Sequence, residues 1–191
     1  MPIEQPYLER IFGRLYDTLT IPYGVFNGRF MIFRNPAGIW INGRQKTFAD
    51  TNMVMDGVLP APMRFHAKRI RMEMVSADSD DLERFKQRCA LSLSINCKNY
   101  FTAPVSTVLL EDWIRTAVAK IGKNQAEQIG PYLDEALAKG SLGVGALEEE
   151  SVLIESQQEF HVDIFADEPF ALAHDLTFRV FLEGQLYRAV R

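Results

Sequence analysis

Leu91, Leu93, Ile95 and Cys97 alternate with Ser92, Ser94, Asn96 and Lys98, and the same two-residue beat returns at Phe160, Val162 and Ile164 and again at Leu176, Phe178, Val180 and Leu182. A period of two sends apolar side chains to one face of an extended strand and polar ones to the other, so these segments read as half-buried strands. Phe65 and Ala67 keep one parity while Ile70, Met72 and Met74 keep the other. The phase change near Lys68 and Arg69 predicts a β-bulge in a strand over 65–75. Strands that cluster at both ends of the chain, with a single helical stretch between them, argue for an antiparallel β-sandwich or barrel, because a βαβ fold would alternate regularly.

Turn chemistry divides the rest. Asn27-Gly28 and Asn42-Gly43 supply the positive φ angles of two-residue turns, so two hairpins, or at least two sharp turns, are expected before residue 48, and Arg34 to Gly38 reads as a further turn. Glu183-Gly184 is expected to turn the chain back toward Leu186, Tyr187 and Val190. Residues 4–19 carry Tyr7, Leu8, Ile11, Phe12, Leu15, Tyr16 and Leu19 at helical spacing, which predicts an amphipathic N-terminal helix. Trp113, Ile114, Ala117, Val118 and Ile121 predict a second helical region, with Gly122, Asn124, Pro131 and Gly140 as its stops and starts. The organisation that follows is a single mainly β domain over 1–191, an N-terminal helical arm at 1–20 and a helical insertion at 107–140.

The 191 residues are 47% apolar and 24% charged, enough for a packed core without a metal, a disulfide or a cofactor. A net charge of −4 excludes a protein whose whole surface wraps nucleic acid. A local basic patch of Arg64, Lys68, Arg69 and Arg71 with Arg10, Arg14, Arg29, Arg34 and Arg44 is weighed against dispersed ion pairs, and a nucleic-acid contact stays open on these residues alone. No window approaches 18 apolar residues, and the first residues lack a basic region followed by an apolar core. Neither a transmembrane segment nor a secretory signal is expected, and synthesis in the cytoplasm follows.

Chemistry is sparse. Cys89 and Cys97, placed on one continuous strand over 89–101, would stand about 26 Å apart at about 3.3 Å per residue. They are expected to be reduced, buried and unbridged. His66, His161 and His174 show no metal-ligand spacing. Asp78-Ser79-Asp80-Asp81 lacks the glycine and the distal glutamate of a calcium loop and reads as a solvated turn opening a short helix. The glycine run Gly140 to Gly145 follows a helix and fits no phosphate cradle, and Glu148 to Glu150 reads as a solvated charge run. There is no G-x-S-x-G elbow. No catalytic, cofactor-binding or metal residue is assigned. His161 and Asp163, on one face of a strand, are the pair that a lyase or isomerase reading would use, and Trp40, Trp113 and Tyr187 are the stacking platforms of a carbohydrate- or ligand-binding alternative.

The closing run Asp175 to Arg188, the Leu59-Pro60-Ala61-Pro62 approach to a long strand and the Asn99 to Pro104 exit from another together resemble the jelly-roll coat proteins of tailless bacteriophages. The resemblance covers roughly 54–105 and 152–191. It implies a jelly-roll fold and a structural role as a capsid protein, not an enzyme. Many copies would self-assemble edge to edge into a virion shell through the terminal arm and loops, with other virion proteins as further partners. Thirteen Phe, seven Met and an apolar first segment are compatible with such interfaces. At the C-terminal strand, Arg179, Arg188 and Arg191 are expected to face solvent or a neighbouring subunit.

Overall fold

Alternation becomes antiparallel sheet. In the computed structural model, which describes residues 8–109, 145–146 and 151–189, the chain is mainly β, with two principal sheets. The first runs in the order β1 (Leu8–Ile21), β13 (Leu176–Ala189), β6 (Arg64–Ser76) and β10 (Val152–Ile154), with β9 (Gly145–Ala146) also paired to β6. The second runs β3 (Arg29–Ile32), β11 (Phe160–Ala166), β7 (Cys89–Ile95) and β8 (Lys98–Pro104). Two small ribbons pair β2 (Gly24–Phe26) with β12 (Phe170–Leu172) and β4 (Trp40–Ile41) with β5 (Arg44–Gln45). The helix α1 (Ser79–Arg88) links β6 to β7, and α2 (Val105–Val108) follows β8.

One hydrophobic cluster joins the inner faces. Leu176, Phe178, Val180 and Leu182 from β13, Ile70 and Met72 from β6, Leu91 and Leu93 from β7, and Val162 and Ile164 from β11 are all fully buried in it. Aromatic rings fill one end: Phe26 stacks on Phe170 at 5.0 Å, Phe85 of α1 stacks on Phe178 at 5.6 Å, and Phe26 meets Phe85 edge-on at 6.5 Å. Such pairs add stability beyond the area they bury.

The bulge falls where the parity change predicts it. Glu183 opposes Arg69 and Gly184 opposes Ala67, so Lys68 has no partner on β13 and the apolar face resumes on the other parity. A side chain at position 184 would place its Cβ 1.8 Å from the His66 carbonyl oxygen. Gly184 is therefore required by close backbone approach, and the expected turn at Glu183-Gly184 does not form: β13 runs through it to Ala189.

Other expectations are corrected. The described part of the predicted N-terminal helix, from Leu8 onward, is β1, which pairs β13 along its whole length; residues 4–7 lie outside the described residues. Arg10, Phe12 and Arg14 are exposed, while Leu15, Asp17 and Ile21 are buried, so the true period is two. Phe12 and Tyr16 on the outward parity and Asp17 on the inward one hide it. The strand expected over 89–101 is the β7–β8 hairpin, turning at Asn96 and Cys97 with φ of 47° and 64°. Cys89 is buried as expected, but that turn leaves Cys97 exposed, and both are free. Asn42-Gly43 closes the β4–β5 hairpin with both residues at positive φ, whereas the turn at Asn27-Gly28 hands the chain from β2 to β3, which pair different partners. The helical insertion lies outside the described residues beyond Leu109, as do Glu148 to Glu150 and most of the glycine run.

Truncating Phe178 to alanine removes a ring buried on all sides and is expected to cost about 3–5 kcal/mol, seen as a lowered midpoint in chemical denaturation. Gly184→Ala forces the β6 and β13 backbones apart and is expected to lower the thermal midpoint strongly. An unshifted midpoint in either variant contradicts this packing.

Candidate functional site

Two places gather polar groups against the sheets. The first is the outer face of the second sheet, where β11 lies between β3 and β7 and presents His161 and Asp163 opposite the core-facing Val162 and Ile164. The structure brings this expected pair together. His161 Nε2 lies 3.3 Å and Arg29 Nη1 3.5 Å from Asp163 Oδ2. The Asp163 side chain is only 1% exposed, and neither of its oxygens accepts a hydrogen bond; His161 Nδ1 is likewise buried without one. Ser92 and Ser94 of β7 stand directly across from Asp163 and His161. A carboxylate placed between a guanidinium and an imidazole can orient the ring or take a proton from it. Among the described residues no hydroxyl or thiol is hydrogen-bonded to His161, so a nucleophile is not assembled.

The second place lies along the edge of β1, where the segment between β3 and β6 folds against it. The register explains how: Thr51 bridges Asp17, the Tyr16 amide donates to Asn52 Oδ1 at 2.9 Å, and the Asn52 amide donates to the Tyr16 carbonyl at 3.2 Å. Asp17 points inward beside Leu15 and Ile21. Its carboxylate accepts the Phe33 amide proton at 2.7 Å and forms an ion pair with Lys46 Nζ, and both charged side chains are buried. Burial drives the Asp17 carboxyl above its ordinary range, and the charge and hydrogen bond of Lys46, with the Phe33 amide, oppose that rise. Phe33 holds a φ of 72°, a left-handed conformation costly for a bulky residue, and its amide is fixed by this carboxylate.

Beside this pair opens a cleft of about 480 Å³ lined by Lys46, Arg44, Arg179 and three threonines, Thr18, Thr20 and Thr177. Arg44 pairs with Asp50, which also accepts the Thr47 amide and hydroxyl, both at 2.9 Å. Partial burial raises the Asp50 carboxyl, but these hydrogen bonds and Arg44 outweigh it and hold the group below its ordinary value. Sequence reasoning missed this site. The signal was Asp17, a charge at an inward parity between Leu15 and Leu19, which demands a buried partner.

Other expected residues are placed plainly. Asp78 caps α1 by accepting the Asp80 amide at 2.9 Å, so the acidic turn opens a helix as expected. Asp81 is buried and accepts the amides of Ala173 and His174 at 2.8–3.0 Å. The Ala173 amide, more than any other group, holds its carboxyl below the ordinary value, with the His174 amide and side chain adding to the effect. Asp78, Asp81 and His174 are close enough for a metal ion, but Asp81 is already taken by backbone donors. Burial pushes the Cys89 thiol up to about 12, leaving it protonated and unreactive at neutral pH. Trp40 is exposed on the β4–β5 hairpin, Tyr187 packs its ring 5.1 Å from His66, and Trp113 is outside the described residues. Much of the basic set is dispersed in ion pairs: Arg14 with Glu183 at 3.0 Å, Arg64 with Glu155 at 2.9 Å and Arg71 with Glu73 at 2.7 Å. Arg188 faces solvent as expected, whereas Arg179 is half-buried, and Arg191 lies outside the described residues. Arg188 pairs with Glu9 across the strands, and Arg179 is tied to Thr18 and Ala49. Among the described residues no helix is long and apolar enough to cross a membrane.

No family model, curated protein or solved structure matches the chain.

Lys46→Met leaves the Asp17 charge in the interior without its cation, at an expected cost of about 3–5 kcal/mol at neutral pH. Because the folded state already holds the Asp17 proton more tightly than the ordinary carboxyl value of 3.8, the deficit should shrink on acidification; a deficit independent of pH contradicts a buried carboxylate. Asp81 has the opposite sign. Its lowered value means a contribution present above pH 3.8 and lost as pH falls through the folded value. The stability gap between wild type and Asp81→Asn should narrow below about pH 4 in thermal melts, and a constant gap would remove the carboxylate from that role.

Proposed function

We propose that this chain is a jelly-roll coat subunit that self-assembles into a virion shell. The observation that carries the reading is the nesting of strand pairs. Counting the eight main strands in chain order, the first pairs with the last (β1 with β13), the second with the seventh (β3 with β11), the third with the sixth (β6 with β10) and the fourth with the fifth (β7 with β8), all antiparallel. Rolling a folded ribbon of such pairs gives two sheets in the orders 1-8-3-6 and 2-7-4-5, which are the orders observed. Jelly rolls of this kind build viral capsid and lectin domains.

The surface favours assembly over a lone monomer. Tyr23, Val25, Trp40 and Phe48 are 66–73% exposed within a single stretch of chain, with Phe12 at 71% on β1. Scattered apolar residues are ordinary, but aromatic side chains concentrated on one stretch are the composition of an interface core. The inner faces are filled by phenylalanine and aliphatic side chains, which argues for a packed wall over a ligand-holding interior.

One observation favours a second reading, a β-sandwich lyase or isomerase: the Asp163 carboxylate, buried beside His161 without a hydrogen bond.

Purified protein should give uniform closed particles or rings by negative-stain electron microscopy and a matching mass by light scattering. Trp40→Ala combined with Phe48→Ala should abolish them while shifting stability by no more than about 0.5 kcal/mol, as exposed substitutions do. A strict monomer at every concentration and salt tested overturns the shell reading.

A further inference from the structure

Arg179 is held in place by neutral acceptors and has no carboxylate partner among the described residues. Its Nε donates to Thr18 Oγ1 at 2.8 Å, its Nη2 donates to the Ala49 carbonyl at 2.7 Å, and its guanidinium carbon lies 5.7 Å from the centre of the Tyr16 ring. A guanidinium carries five N–H donors in a rigid fork. Two are used, and three remain: both on Nη1 and one on Nη2. The group is thus oriented, half-buried, charged and short of acceptors.

It lines the cleft of about 480 Å³ beside β1. The other cations there are neutralised, Lys46 by Asp17 and Arg44 by Asp50. Asp175 also lines the cleft, but it accepts the Tyr23 amide at 2.8 Å and stands four residues before Arg179, about 13 Å away along extended chain. Glu73 stands directly across from Arg179 on β6, but its carboxylate is engaged by Arg71 at 2.7 Å and does not line the cleft. Within the cleft, positive charge is therefore left over at the Arg179 end. Next to it on the same face of β13, Thr177 Oγ1 lies 2.9 Å from Thr20 Oγ1. One proton serves that bond, so the second hydroxyl proton is free to point into the cleft.

The geometry points to a binding site for a small oxyanion, a phosphate or carboxylate group, seated between the free edge of the Arg179 guanidinium and the Thr20–Thr177 hydroxyl pair. The planar fork matches two oxygens of such a group at once, and charge-assisted hydrogen bonds of this type are the strong ones. The preorganisation is complete before any ligand arrives, since Thr18, Ala49 and Tyr16 already fix the side chain.

The test is isothermal titration of the full chain with inorganic phosphate and, separately, with acetate, each against sodium chloride at equal ionic strength. Saturable binding of one molecule per chain is expected for at least one probe. Phosphate alone assigns a phosphoryl ligand, and acetate alone a carboxylate. Arg179→Gln should weaken binding about ten-fold or more, and Thr177→Val, which keeps the guanidinium, should weaken it to a smaller extent. If Arg179→Gln fails to give a native near-ultraviolet circular dichroism spectrum, Arg179→Lys replaces it, keeping the charge and losing the fork, with the same direction expected. Absence of saturable heat for both probes, or a variant at position 179 that binds like wild type, overturns the site.

Discussion

β13 is the strand on which the rest of the molecule depends. It is bonded on both sides, to β1 along its full length and to β6 across the bulge, and its inward residues Leu176, Phe178, Val180 and Leu182 are all fully buried. A strand with both edges paired and one face dry has no freedom to slip, because a shift of one residue would send four core side chains to the opposite face. Lys68 and Gly184 show how tightly the register is set. The extra residue at Lys68 is accommodated where the opposing strand has no side chain, and the apolar phase of β6 changes at that point.

The edge of this sheet is governed by charge where its centre is governed by apolar packing. Asp17 stands among core residues, and its burial is tolerated because Lys46 and the Phe33 amide meet it. Both partners belong to the segment between β3 and β6, so one carboxylate fastens two separate points of a long connection to β1. A buried pair of this kind adds little net stability over well-packed apolar residues. What it supplies is location: a single conformation for the loop, the unusual φ of Phe33, and through them the shape of the cleft beside Arg179.

Much of the fold was legible because it rests on period two and on turn chemistry. The strands at 65–75, 160–164 and 176–182, the bulge at Lys68 and the Asn42-Gly43 hairpin all announce themselves in the sequence. The failures have physical causes. β1 carries Phe12 and Tyr16 on its outer face and a charged Asp17 on its inner face, which erases the binary pattern and leaves a helix-like spacing. Gly184 suggests a turn in the sequence because glycine permits turns, whereas here it permits contact, and only the partner strand reveals which. Asn96 and Cys97 lack the glycine of a typical hairpin turn and keep the alternation running through it. Of the polar sites, His161 and Asp163 could be paired from their spacing on one strand. Arg179, Thr18 and Ala49 could not, since their association depends on a loop that crosses to a strand over a hundred residues away.

The nested order of the strand pairs carries a consequence for how the molecule comes into being. β1 is the first described strand to leave the ribosome, and its lengthwise neighbour is the last described one. The wall of the first sheet therefore cannot form before β13 has been made; β1 and β6 must wait for it, with apolar faces uncovered and their edges toward β13 unpaired. Contacts between distant parts of a chain make folding slow and leave it open to aggregation meanwhile. The same arrangement acts as an inspection step. A chain broken off before β13 has neither a neighbour for β1 nor the middle strand of its sheet, so only a chain that includes β13 can present a completed wall to anything it meets.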